Sequence, residues 1–202
     1  MFKSDKYYII VSNSSFIIKK DGGNIETVIE LQSFMPNVPA YHHLYDIDKK
    51  DYIDDIKRQI KKLKIKDAII IMPDDTIELE VDKRMLIEFF LQVKVNKIQV
   101  SFQCYYMSFD NKKYISISKT NRIIVLQYIS HNKTVIKKYY DKNYIDIEQV
   151  KKGINNIHDD NMYSILPVYI NNINNDMEEF KDIGNLVSLD EFVANVMKNE
   201  IK

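Results

Sequence analysis

The sequence predicts a mixed α/β fold built from a duplicated β-β-β-α-β unit, and three observations carry that reading. Two blocks of short, β-branched and aromatic runs occur in tandem: YYIIVSN, SSFIIKKDGG and IETVIELQSF in residues 7–34, then KKYISISKT, RIIVLQYISHN and KTVIKKYYDKN in residues 112–143. Each block is followed by a stretch of helical periodicity and then by an apolar strand, DAIIIMP (67–73) in the first copy and YSILPVYI (163–170) in the second. No Walker loop, nucleophile elbow or HExxH interrupts either copy, so no enzymatic motif sits on the repeat.

Within the first copy, Lys20-Asp21-Gly22-Gly23-Asn24 separates the second and third strands, because Gly and Asn accept the positive φ of a tight hairpin. Met35-Pro36-Asn37-Val38-Pro39 ends the meander, since proline cannot donate to a ladder. Ile53, Ile56, Ile60 and Leu63 recur at helical spacing over 51–64, with Lys57, Arg58, Lys61 and Lys62 on the solvated side. Ala68-Ile69-Ile70-Ile71-Met72 is apolar throughout, the mark of a central strand covered on both faces. Pro73-Asp74-Asp75-Thr76 stops it, with Asp74 and Asp75 expected to satisfy free N–H groups at a helix start. A helix from about 82 to 94 follows, burying Met85, Leu86, Phe89, Phe90 and Val93, and then a strand over 97–107. The soft boundary between copies is Ser108-Phe109-Asp110-Asn111, giving units 1–110 and 111–202. The second unit is expected to be incomplete, with a helix over 146–157, a strand over 163–170, and a last helix over 188–199 that opens with the capping box Ser188-Leu189-Asp190-Glu191.

Composition narrows the function classes. The 29 basic and 29 acidic residues cancel, which argues against a dedicated nucleic-acid binder. A single cysteine, Cys104, excludes an intramolecular disulfide and a cysteine metal cluster, and its apolar run predicts a buried thiol. His42 and His43 are adjacent and no other His or carboxylate lies near them at metal-ligand spacing, so no metal site is expected. The chain opens directly into a strand and holds no apolar stretch of about 20 residues, so neither a signal peptide nor membrane insertion is expected. A cytoplasmic location follows. Fourteen Tyr and nine Phe without Trp suit partner surfaces and sheet packing alike.

The order of elements resembles the nucleotide-binding lobe of the actin, Hsp70 and bacterial MreB superfamily, a duplicated ribonuclease-H-like fold. The segment AIIIMPDDTIELEVDKRMLIEFFLQVKVNKIQVSF (68–102) is similar to its strand–turn–helix–strand unit, and YISISKTNRIIVLQYISHNKTVIKK (114–138) to its second phosphate hairpin. In the family the first hairpin turn carries an Asp and a Gly-Thr-type loop, and the second carries Asp-Gly-Gly-Gly-Thr. Here the corresponding turns read Ser12-Asn13-Ser14-Ser15 and Ser118-Lys119-Thr120-Asn121, with neither glycine nor carboxylate. The resemblance thus implies that Ser12, Asn13, Ser14, Ser15, Ser118 and Thr120 are a vestigial phosphate turn, that no nucleotide or other cofactor is required, and that a second lobe is missing. A ribonuclease-H-type nuclease is disfavoured because Tyr7–Val11 carries no acidic residue for a two-metal site. The resulting expectation is a non-catalytic scaffold or adaptor with a protein partner or self-association, similar to cytoplasmic platform proteins of type IV pilus and type II secretion machines. The competing expectation is a nucleotide-binding regulator or weak ATPase.

Overall fold

The computed structural model describes residues 5–23, 26–75, 78–143, 146–163 and 165–198. Of the residues named above, Asn24, Ile25, Thr76, Ile77, Ser164 and Asn199 lie outside that set. The chain divides into two compact units, residues 1–101 and 102–202. The segment Ser108–Asn111 therefore lies within the second unit, eight residues or so beyond the division.

In the first unit, β1 (Lys6–Val11), β2 (Ser15–Lys20) and β3 (Glu26–Glu30) form an antiparallel meander. A 3₁₀ helix over Ala40–Tyr45 leads to α1 (Lys50–Lys62), β4 (Asp67–Met72), α2 (Leu79–Gln92) and β5 (Lys97–Phe102). The sheet order is β3-β2-β1-β4-β5, with β4 parallel to β1 and Ile9 opposite Ile70. Residues Tyr8–Val11 and Ala68–Met72 are buried without alternation, so both central strands are covered on both faces. α1 turns Ile53, Ile56 and Ile60 inward, as its periodicity requires. α2 reaches the sheet through aromatic contacts: the Phe16 ring lies 6.1 Å from Phe89 and 5.2 Å from Phe90. It starts three residues earlier than the sequence indicates, after Glu78, so Asp74 and Asp75 are not its N-terminal cap.

The second unit repeats the plan. β6 (Lys113–Lys119), β7 (Ile123–Ser130) and β8 (Lys133–Asp141) form the meander, and His131 and Asn132 both take positive φ in the tight turn between β7 and β8. Then come α3 (Ile147–Asn155), the short α4 (Asp160–Tyr163), β9 (Val168–Asn171), β10 (Asn185–Val187) and α5 (Leu189–Lys198). The order β10-β9-β6-β7-β8 matches the first sheet strand for strand, with β9 parallel to β6 as β4 is to β1. Two corrections follow. The expected strand over 163–170 begins only at Val168, because Tyr163 ends a helical turn. The second unit is also not incomplete: β10 supplies a fifth strand, so the 202 residues carry two full five-stranded units and the expectation of a missing lobe fails. Among the described residues the second copy shows no equivalent of α2, and a 3₁₀ turn at Glu178–Phe180 makes that crossing instead.

One face of the second sheet (Ile115, Ile117, Ile124, Leu126) packs on Val150 and Ile154 of α3 and on Met177 and Phe180. α5 is held inside its own unit, with Ser188 Oγ accepting from the Glu191 N–H and Phe192 meeting Tyr106 ring to ring at 6.2 Å. Cys104 is buried.

Phe89 is fully buried among aromatic neighbours. Phe89→Ala is therefore expected to cost roughly 3–5 kcal/mol in a urea titration, through lost burial and an unfilled cavity. Gly184 precedes β10, where an added Cβ would stand 2.8 Å from the Val168 carbonyl oxygen and 2.7 Å from its Cγ1. Backbone cannot yield as a side-chain tip can, so Gly184→Ala should destabilise the second unit by about 1–3 kcal/mol, read as a lower thermal midpoint.

Candidate functional site

Both polar turns follow the first strand of their sheet, and each is closed by the same bond. Ser12 N–H donates to the Ser15 carbonyl at 2.9 Å, and Thr120 N–H donates to the Ile123 carbonyl at 2.9 Å. The side chains repeat the pattern. Ser12 Oγ accepts from the Ser14 N–H at 3.3 Å and lies 2.8 Å from Ser15 Oγ. Thr120 Oγ1 accepts from the N–H groups of Arg122 and Ile123, both at 3.2 Å. Hydroxyls that mimic a backbone turn in this way are common at Ser and Thr. A phosphate-binding turn aims its N–H groups outward at the anion. Here the Ser12, Ser14, Thr120, Arg122 and Ile123 N–H groups point into their own turns.

The six residues singled out from the sequence are distributed unevenly. Ser12, Ser15 and Thr120 are buried, Asn13 is half-buried and Ser14 is exposed. Ser118 is not a turn residue: it is buried within β6, opposite Val125 of β7 and Asn171 of β9. The Ser12–Ser15 turn and the Thr120 turn belong to different units, each sited at one end of its own sheet.

Because β1 and β4 run parallel with Ile10 opposite Ile71, the Ser12 turn and the residues after Met72 share one sheet end in the first unit. Asp74 and Asp75, which follow β4, are both buried, and each is engaged by other groups. In the second unit the same end carries charged side chains around the Thr120 turn. Lys119 Nζ donates to the Asp176 carbonyl at 3.3 Å, and Lys142 Nζ donates to the Asn121 carbonyl. Burial pushes the Asp176 carboxyl above the usual carboxylate range, against the opposing pull of Lys119 and Lys142, and its Oδ1 has no hydrogen-bond partner.

The sequence reading missed one cluster. His42 Nε2 lies 2.6 Å from Asp82 Oδ1, a residue forty positions away along the chain. The Glu78 carboxylate joins them. The signal available in the sequence was Glu78 and Asp82 at helical spacing, but nothing in the spacing alone directs that face towards His42. Among the described residues, no helix is long and apolar enough to cross a membrane.

No protein-family model and no curated protein matches this sequence. Solved structures do. The ethanolamine utilization protein EutJ from Carboxydothermus hydrogenoformans is similar over 98% of this chain and 89% of its own, at 8% identity and a TM-score of 0.54. The fold is actin-like. A Bacteroides thetaiotaomicron protein with an actin-like ATPase fold is similar over 98% of this chain and 97% of its own, with 8% identity and a TM-score of 0.49. MreB5 of Spiroplasma citri, solved bound to ADP, is similar over 77% of this chain at 10% identity and a TM-score of 0.46. This chain spans 56% of that protein's length.

An elevated Asp176 pKa means that the folded protein holds this proton more tightly than the unfolded chain does. The group's contribution to stability is then complete below the unfolded value of about 3.9 and is lost as pH rises through the folded value. Asp176→Asn, which cannot ionise, is expected to raise the thermal midpoint at neutral pH, with the gain disappearing below about pH 4. Melting curves of both proteins across that range check it.

Proposed function

We propose that this chain is a non-catalytic actin-like module, acting in the cytoplasm as a scaffold or adaptor that binds a protein partner or further copies of itself. The observation that carries this reading is that the N–H groups of Ser12, Ser14, Thr120, Arg122 and Ile123 all donate within their own turns. Neither turn contains glycine, whose missing side chain would let phosphate approach the backbone. A site built for phosphoryl transfer needs outward donors and a carboxylate to organise magnesium. The Ser12 and Thr120 turns carry no carboxylate, and the five N–H groups named above are turned inward.

Association is supported by the second sheet's outer strand. Among the described residues β8 pairs with β7 alone, and it exposes Val135 and Tyr139 along nine residues. An edge strand with apolar side chains turned outward is a template for strand addition from another chain. Ile47 and Ile165 add apolar points at 97% and 98% exposure.

A second reading, a nucleotide-binding regulator or weak ATPase, draws on the buried Asp74 and Asp75 at the sheet end shared with Ser12. The two readings separate in one pair of measurements on the pure protein. The scaffold reading expects no magnesium-dependent ATP turnover and no calorimetric binding of ATP, together with self-association or partner capture. Turnover that is abolished by Ser12→Ala, Asp74→Asn or Thr120→Ala would overturn it, and saturable ATP binding without turnover would establish the regulator instead.

A further inference from the structure

We propose that His42, Glu78 and Asp82 form a binding site for a divalent transition-metal ion, with Zn²⁺ as the best fit. The three side chains come from two elements of the first unit that are fixed to each other. His42 lies in the 3₁₀ helix Ala40–Tyr45, which begins after Pro39. That helix is tied to α2 by Tyr45, whose hydroxyl donates to the Met85 carbonyl at 2.7 Å. The Tyr41 ring, 5.1 Å from the imidazole, supports His42 on its own segment. Asp82 sits in the first turn of α2, and its N–H donates to the Glu78 carbonyl at 2.9 Å. That bond places Glu78 and Asp82 one turn apart on the same helix face.

One ligand atom from each residue lies within 4.8 Å of the other two. Three donors around a tetrahedral zinc ion, at bonds of about 2.0–2.1 Å, lie roughly 3.3 Å from one another. The His42–Asp82 separation, 2.6 Å, lies below that value, and the Glu78 carboxylate stands within 4.8 Å of both. His42 Nε2 and Asp82 Oδ1, at 2.6 Å, part by less than an ångström when a cation replaces the proton between them. Glu78 lies at the exposed edge of the cluster, whereas Asp82 is fully buried.

Charge gives the reason for a cation. Carboxylates one helical turn apart repel each other. Here they converge on a single imidazole, and a dication turns that repulsion into two attractions. The imidazole selects the metal, since a nitrogen donor suits Zn²⁺, Ni²⁺ or Co²⁺ while Mg²⁺ and Ca²⁺ take oxygen. Three protein ligands leave a fourth position to water. This site is independent of the polar turns and does not depend on the scaffold reading.

The test uses the full chain, freed of metal with a chelator and titrated calorimetrically with ZnCl₂, with Co²⁺ as a spectroscopic substitute. The expected result is one equivalent of Zn²⁺ bound, a higher thermal midpoint with Zn²⁺, and a tetrahedral Co²⁺ absorption band. Glu78→Gln alters only an exposed side chain, so it tests the site without endangering the fold. It should weaken Zn²⁺ by at least about tenfold, and His42→Ala should weaken it further. Three outcomes would each overturn the proposal: no Zn²⁺ uptake by the unaltered chain, uptake unchanged in Glu78→Gln, or uptake that vanishes with His158→Ala in the second unit instead. Displacement of Zn²⁺ by an equal concentration of Mg²⁺ would do the same.

Discussion

Each unit depends on one parallel strand pair, β1 with β4 and β6 with β9. Parallel neighbours cannot be joined by a tight turn, so the chain must cross over and return before the pair can form. The crossover places a helix against the sheet, and the pair loses contact with water on both sides. Ile9, Ile10, Ile70 and Ile71 are wholly buried in the first unit, as are Ile115, Ile117 and Ile170 in the second. Two consequences follow from that single pairing. The antiparallel meander is forced to one side of the pair and the fifth strand to the other, which gives the common strand order. The strand ends also coincide, so whatever follows β1 and whatever follows β4 meet at one end of the sheet.

That coincidence brings two strand ends together at one end of each sheet, and the local bonding decides what is there. At both ends the strand runs into a turn whose first residue carries a hydroxyl and whose first N–H closes on the carbonyl three residues ahead. Beyond that feature the two turns share only an Asn at the second position, Ser-Asn-Ser-Ser against Thr-Asn-Arg-Ile. Their equivalence lies in the backbone, and the hydroxyl at the first position is the part that sequence must supply. A hydroxyl that accepts its neighbours' N–H groups stabilises the turn by neutral hydrogen bonds of about 1 kcal/mol each, and it competes with any anion for the same donors.

Much of the architecture was legible because the signals were local. The meanders are bounded by residues that accept positive φ, α1 has a clean apolar stripe, and β4 is apolar at every position, so each could be read within a window of a dozen residues. β10 could not. Asn185-Leu186-Val187 is too short for any periodicity, and it becomes a strand only because β9 offers a free edge and Gly184 lets the chain approach Val168. Tyr163 misled for the opposite reason: an aromatic residue before an apolar run suits a strand, but His158 and Asn161 organise a helical turn there. Asp160 N–H donates to His158 Nδ1, and the Asn161 side chain bridges the Ile154 carbonyl and the Leu166 N–H. The Ser12 and Thr120 positions were legible as polar turns, but the direction of their N–H groups depends on which carbonyl the turn brings within reach.

His42 shows the same limit most plainly. Its sequence neighbours are an aromatic residue and a second histidine, and a spacing argument finds no ligand set around it. The set forms because the two prolines that end the first meander hand the chain to a 3₁₀ helix, and because the Tyr45 hydroxyl then fixes that helix against α2. The helix start matters equally. With α2 beginning at Leu79 rather than at 82, Glu78 and Asp82 fall on one face and in one turn. A shift of three residues in a helix boundary, beyond what sequence patterns resolve, is enough to turn an unremarkable loop histidine into the third member of a carboxylate cluster.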